Sequence, residues 1–161
     1  MLGYVFDRSD IVAPFVAALI PECRERGFGK CSTIGILRDD GELVGGLVYR
    51  NWHPEFGTIE MSGAAIPGTN WFSRRTIQVM HDYPFYQCGC QMMIMTTLAD
   101  NLIVQRILAA IGYAFHYIER LGGRDHDGIV ATLTVERWET SRYNVNRHRP
   151  ARTEHQIDEA A

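Results

Sequence analysis

A mixed α/β fold is the prediction for this chain, built on a mostly antiparallel sheet of about six strands with helices on both faces. Three observations lead to it. Apolar side chains recur at helical spacing in three separate segments. Between and after them lie short apolar or alternating runs of strand length. Gly, Pro and Asp-Gly punctuation falls between these segments, where turns are needed.

Taken in order, the first helix is expected over residues 9–20, with Val12, Phe15, Val16 and Leu19 on one side and Ser9 or Asp10 as N-cap. Pro14 then falls near the first turn, where proline costs least. Ile34 to Leu37 reads as a strand. It runs into Asp39-Asp40-Gly41, a hairpin signal because Asp-Gly readily supplies positive φ angles. The next strand alternates Leu43, Gly45, Leu47 and Tyr49, and Asn51 to Gly57 reads as a longer turn. Thr58 to Ile66 completes a three-stranded antiparallel meander.

Pro67 to Asn70 closes that strand and opens a second helix, with Phe72, Thr76, Val79 and Tyr83 as its stripe until Pro84 kinks or ends it. Met92 to Leu98 is a further strand. Asp100 or Asn101 caps a third helix with Val104, Ile107, Leu108 and Ile111 on its apolar side, and Gly112 stands where a left-handed C-terminal cap belongs. Tyr113–Leu121 and Ile129–Trp138 are the last two strands, separated by the turn-rich Gly122 to Gly128. Strand–helix–strand in the middle of the chain predicts parallel neighbours joined by a right-handed crossover. One domain over residues 1–138 is expected, followed by a polar tail or arm over 139–161 that carries Arg142, Arg147, Arg149 and Arg152 and then Glu154, Asp158 and Glu159.

Composition narrows the function classes. The chain has 161 residues, 46% of them hydrophobic and 22% charged, which suits one globular domain with a real core. A formal charge of -3 supplies no global attraction to nucleic acid, so nucleic acid is not expected as a partner. No apolar run approaches the roughly 20 residues of a membrane span, and no membrane partner is expected. Residues 1–10 carry acidic side chains and no apolar signal segment with a basic flank, which leads to a cytoplasmic expectation. Cys23, Cys31, Cys88 and Cys90 have no companion Cys/His pair at zinc spacing, so no metal is expected and the thiols are read as reduced.

The ordered elements, together with Asp100-Asn101, Val104, Ile107, Leu108, Ile111 and Gly112-Tyr113, resemble the GNAT acyltransferase superfamily and its pattern N-x-x-A-x-x-L-Y-x-x-x-G-F. Ile59-Glu60-Met61-Ser62, Trp71, Ser73-Arg74-Arg75, Tyr83-Pro84-Phe85, Glu119-Arg120 and Asp127-Gly128 resemble a subgroup found in bacteria and phages. The resemblance covers roughly residues 34–138 and implies acetyl-CoA (or another acyl-CoA) as co-substrate and an amine, on a small molecule or a protein, as acceptor. It implies a cleft where the strands 58–66 and 91–98 splay apart. Backbone amides of Met61, Ser62, Gly63, Ala64 and Ala65 would polarise the thioester carbonyl. The pyrophosphate would sit at the helix opening of Asn70, Ser73, Arg74 and Arg75, and Asn101 would contact the pantetheine arm.

Two positions depart from the family pattern. Its phosphate loop, Q/R-x-x-G-x-G/A, is here Asn70, Trp71, Ser73 and Arg75; either Arg74 and Arg75 supply charge in place of glycine-exposed backbone, or the phosphate site is degraded. The tyrosine that protonates the leaving thiolate is replaced by Leu108, leaving Tyr113, Tyr117 or water for that task. Glu60 is the candidate general base; strand alternation sets it on one face with Ser62, opposite Ile59 and Met61. His53 and Glu55 sit in the preceding turn, His81, His116 and His126 are scattered, and Trp52, Trp71 and Phe72 are available to line an acceptor pocket. Two other functions fit the same residues: a non-catalytic GNAT-like interaction module, and a phage-type enzyme that modifies DNA or host proteins. An edge strand near the C-terminus leaves room for a homodimer.

Overall fold

The computed structural model describes residues 1–145. They carry seven strands rather than about six, and four α-helices. Contacts divide the chain into two compact units, residues 1–52 with 59–76 and residues 53–58 with 77 onward.

In the first unit the strands run in the order β1 (Gly3–Phe6), β2 (Ser32–Leu37), β3 (Leu43–His53) and β4 (Thr58–Ala65). β1 is antiparallel to β2, pairing Gly3 with Leu37 and Phe6 with Ile34. Its four residues, one of them glycine, carry too little alternation to mark a strand in the sequence. β2 and β3 are antiparallel through the expected Asp39-Asp40-Gly41 turn, where Gly41 has φ +84° and its N–H donates to the Arg38 carbonyl. β3 runs on to His53. The turn expected from Asn51 is a local left-handed kink at that residue, φ +51°, which asparagine tolerates well.

Helix α1 (Ser9–Leu19) lies on this sheet and buries Val12, Val16 and Ala17. Its N-cap is Arg8, so Ser9 opens the helix itself and Pro14 falls in its interior rather than in its first turn. Close approach is possible because Gly35 of β2 and Gly46 of β3 stand opposite each other. A Cβ on Gly46 would come within 2.7 Å of both Val12 and Val16, and one on Gly35 within 2.9 Å of Val12. Val12, Val16 and Val48 form the core there, flanked by Phe15, Ile20, Phe28, Cys31, Leu43 and Ala64. Each such fully buried apolar side chain contributes about 1.5–3 kcal/mol.

Helix α2 (Arg74–Asp82) starts later than the residue 70 that the sequence suggests. Ser73 sets the start: its Oγ accepts from the Thr76 N–H at 3.1 Å, the capping bond that serine makes well. Past Asp82 the chain continues as a π turn, Tyr83–Gln87, with Pro84 at its beginning.

In the second unit β5 (Met92–Leu98) and β6 (Ala114–Ile118) flank β7 (Gly128–Thr134), each antiparallel to it. β5 and β6, joined by α3 (Leu102–Ile111), therefore point the same way without touching. Asn101 caps α3 through Val104 N–H at 3.3 Å, and Gly112 ends it with φ +123°, as expected.

The strand expected to reach Trp138 stops at Thr134, whose hydroxyl caps α4 (Val135–Thr140). Trp138 is thus a fully buried helical residue. The boundary expected at 138 falls inside α4. Beyond it, Ser141 donates to the Ile111 carbonyl at 2.7 Å and buried Asn144 donates to the Tyr86 hydroxyl at 3.2 Å. Residues 139–145 belong to the fold, and the arginines at 147, 149 and 152 lie outside the described residues.

Candidate functional site

The first unit brings most of the candidate residues onto one strand and the turn that follows it. β3 and β4 are related so that Gly45 meets Ala65, Gly63 meets Leu47, and Ile66 N–H donates to the Val44 carbonyl at 2.8 Å. Amides alternate along an antiparallel ladder. Counting back from Ile66, the N–H groups of Ala64 and Ser62 point to β3, while those of Ala65, Gly63 and Met61 point away from it. Of the five amides carried over by resemblance, three point away from β3. Gly63 is closely covered: a Cβ there would lie 3.1 Å from Leu47 and 3.5 Å from the Trp71 ring.

The segment after β4 turns at Gly68, φ +83°. Asn70 is exposed on the approach to α2 and is not part of the helix. Trp71 packs edge-on to Phe72, ring centroids 4.5 Å apart. Ser73 is committed locally: besides capping Thr76 it shares a 3.0 Å hydroxyl contact with Thr76, which is itself 2.8 Å from the Tyr4 hydroxyl. Arg74 and Arg75 are exposed on the first turn of α2, and that turn holds no acidic residue. The first N–H groups of a helix have no intrahelical partner, and its dipole favours anions there. Two arginines on that turn suit a pyrophosphate; Trp71 in place of a glycine means that side chains rather than bare loop backbone would make the contact.

Glu60 lies one residue before the outward amides, about one-third exposed, its Oε2 3.7 Å from Nε of Arg50 on β3. Ser62 and Ala64 share its face, and Ala64 packs against the Val12 cluster under α1. Arg50 was not singled out from sequence. Its position opposite Glu60 depends on the exact length of the 54–57 turn, which composition leaves open.

The other candidates lie in the second unit. Asn101 spends its Oδ1 on the α3 cap. Leu108 is buried. Tyr113 is only 5% exposed, its hydroxyl 2.9 Å from His81 Nε2, and burial pushes its phenol far above the ordinary range. His81 is itself fully buried, between the Trp138 ring at 4.4 Å and the Phe85 ring at 6.3 Å. Burial lowers its pKa to about 4, against a smaller opposing effect of the hydrogen bond to the Ile77 carbonyl. The expectation of His81 as a scattered histidine is thus replaced by a core position. His53 and Glu55 are exposed at the hairpin tip, 3.7 Å apart. His116 and His126 are exposed as well. An open hollow of about 250 Å³ is lined by Leu102, Gln105, Arg106, Ala109 and Phe115, none of them a candidate from sequence.

The four cysteines are free thiols, Cys90 buried and the others partly so. Among the described residues no three His, Cys, Asp or Glu side chains converge as metal ligands, and no helix is long and apolar enough to cross a membrane.

Comparison with solved structures decides the fold. The dodecameric spermidine N-acetyltransferase of Vibrio cholerae superposes with a TM-score of 0.71 over 86% of this chain and 96% of its own, at 12% identity. The ribosomal-protein-S5-alanine acetyltransferase of Vibrio fischeri does so with a TM-score of 0.64 over 85% and 94%, at 13% identity. The chain has the GNAT fold. No protein-family model matches its sequence, and no curated protein sequence does. The GNAT likeness is therefore carried by backbone arrangement.

Proposed function

We propose that this chain is an acyl-CoA-dependent N-acyltransferase that moves an acetyl group to an amine of a small molecule or protein. The observation that carries this reading is the succession on one stretch of chain: the outward amides of Met61, Gly63 and Ala65, with Glu60 just before them, and the acid-free, arginine-bearing start of α2 just after. The GNAT fold, shared with N-acetyltransferases of amines, supports it.

Bound acyl-CoA would supply a thioester carbonyl open to attack by the acceptor nitrogen. Arg74 and Arg75, with the first amides of α2, hold the pyrophosphate. The amides of Met61, Gly63 and Ala65 are fixed donors for the developing oxyanion, and their alignment is settled before reaction. Glu60, directly or through water, takes the proton that the amine must lose. The leaving thiolate takes its proton from water, since Tyr113 is held in the core by His81. A cytoplasmic protein related to bacterial and phage enzymes, able to form a homodimer, completes the reading.

Calorimetry with acetyl-CoA tests it. One-to-one binding that weakens when Arg74 and Arg75 are both changed to Ala is the expected result. No binding at millimolar acetyl-CoA would overturn the enzyme reading in favour of a non-catalytic module. That second reading draws on Trp71 in the phosphate turn and buried Leu108 at the family's acid position.

A further inference from the structure

Arg50 of β3 faces Glu60 of β4, and the two form a loose ion pair. Gly46, Val48 and Arg50 alternate onto the side of β3 that carries α1, and Val48 packs on Val12 and Val16. Arg50 therefore emerges just past the end of the α1 contact, where the segment between α1 and β2 returns. Phe28 of that segment sets its ring 5.7 Å from the guanidinium carbon. Glu60 is the neighbouring acid, yet at 3.7 Å from Nε it is too far for a hydrogen bond.

The Arg50 Nε is buried and has no hydrogen-bond partner. A buried charged donor without an acceptor carries its full desolvation cost, and native proteins leave few of them unexplained. Arginine stays charged at any physiological pH and offers a planar fork matched to a carboxylate. Phe28 covers one face of the guanidinium, so an acceptor for Nε has to approach in the guanidinium plane. Both side chains remain about one-third exposed, so a small molecule can reach them.

We propose that Arg50 and Glu60 together read the two ends of the acceptor, which is a small amino acid: Arg50 takes the carboxylate and Glu60 the neighbouring amine. This rests on the acyltransferase reading and narrows its substrate class. An acceptor of this kind supplies the acceptor atoms that Arg50 lacks, and it delivers its nitrogen to the carboxylate already placed as base. Polyamines, with no carboxylate, leave the Arg50 fork unfilled.

The test compares L-alanine, L-methionine and L-phenylalanine with their carboxamides and with spermidine, in acetyl transfer and in direct binding to the protein without acetyl-CoA. For at least one amino acid, kcat/KM should exceed that of its carboxamide by about 100-fold, because a site built to bond a group rejects the analogue lacking it. Arg50→Gln should bring that ratio to within about threefold of unity, chiefly through KM for the acid. Arg50→Lys, which keeps the charge and loses the fork, should fall between. Thermal unfolding of each variant separates these effects from misfolding. Acids and carboxamides turned over alike by the unaltered protein, or spermidine preferred to both, would overturn the proposal while leaving the acyltransferase reading intact. Amino-acid binding that depends on Arg50, in a protein that fails to bind acetyl-CoA, would uphold the site and overturn the transferase.

Discussion

His81 accepts a hydrogen bond from the Tyr113 hydroxyl, 2.9 Å away, and its two ring-nitrogen contacts together fix the state of both rings. The other ring nitrogen, Nδ1, lies 2.6 Å from the Ile77 carbonyl, which can only accept. Nδ1 therefore carries the proton. Nε2 presents its lone pair, and the Tyr113 O–H donates to it. The imidazole is neutral, in keeping with full burial between Trp138 and Phe85.

This neutral histidine makes stability depend on pH in a definite direction. Its folded pKa, lowered to about 4 by burial, lies below the ordinary 6.5 that it regains on unfolding. Between those values the unfolded chain binds the extra proton and the folded chain does not, so acid favours unfolding. Stability from this group is complete above 6.5, declines as pH falls below it, and levels off near 4, a loss on the order of 3 kcal/mol. Urea unfolding midpoints should drop steadily across that window. His81→Phe should be less stable at neutral pH, with the Tyr113 hydroxyl left without its acceptor, yet show a flatter profile. An equal slope in the variant would remove His81 as the cause.

Gly46 predicts a second stability effect, this time through packing. Its Cβ would meet Val12 and Val16 at 2.7 Å, and neither side can retreat without lifting α1 from the sheet. Gly46→Ala should destabilise by about 1–3 kcal/mol, the range for overpacked cores. Gly3→Ala is the control, because a Cβ there finds only ordinary contact with Leu37 at 3.7 Å. Chemical denaturation of the two variants, read at constant m-value, checks the difference.

These two sites mark what the sequence could and could not reveal. Helices α1 and α3, the Asp-Gly hairpin and the Asn101 and Gly112 caps follow from local chemistry: spacing, cap residues and positive φ. Gly35 and Gly46 carry no mark in the sequence, since their role exists only once β2 and β3 are in register under α1. His81 is one histidine among several in the sequence for the same reason; its partners come from α2, the π turn after it, α4 and Tyr113 just before β6. The late start of α2 hinged on which of two polar residues, Asn70 or Ser73, captured a backbone amide. Arg50 and Glu60 meet only across a hairpin whose turn length had to be known first.

Ser73 separates capping from anion binding. Ser73→Ala should cost about 1 kcal/mol through the lost bond to the Thr76 amide. Ser73→Asp keeps a capping oxygen, so its stability should stay close to the unaltered protein. The same change sets a negative charge at the start of α2, where a pyrophosphate is proposed, and should weaken acetyl-CoA binding by about tenfold at low salt and less at high salt. Unfolding curves and calorimetry on the two variants give independent answers. Unchanged acetyl-CoA affinity in Ser73→Asp would move the phosphates away from this helix.

Glu60 offers the sharpest test of the chemistry, because its two proposed tasks fall on different steps. As base it acts when the amine attacks, so Glu60→Gln should lower kcat by about 100-fold. The phosphate contacts lie elsewhere, on Arg74 and Arg75, so acetyl-CoA affinity should change by less than about twofold. Stability should hardly move either: the Arg50–Glu60 pair is one-third exposed and loosely spaced, and such pairs contribute about 1 kcal/mol or less. Turnover retained in full would transfer the role of base to water or to the acceptor's own chemistry and leave Glu60 as a binding group alone.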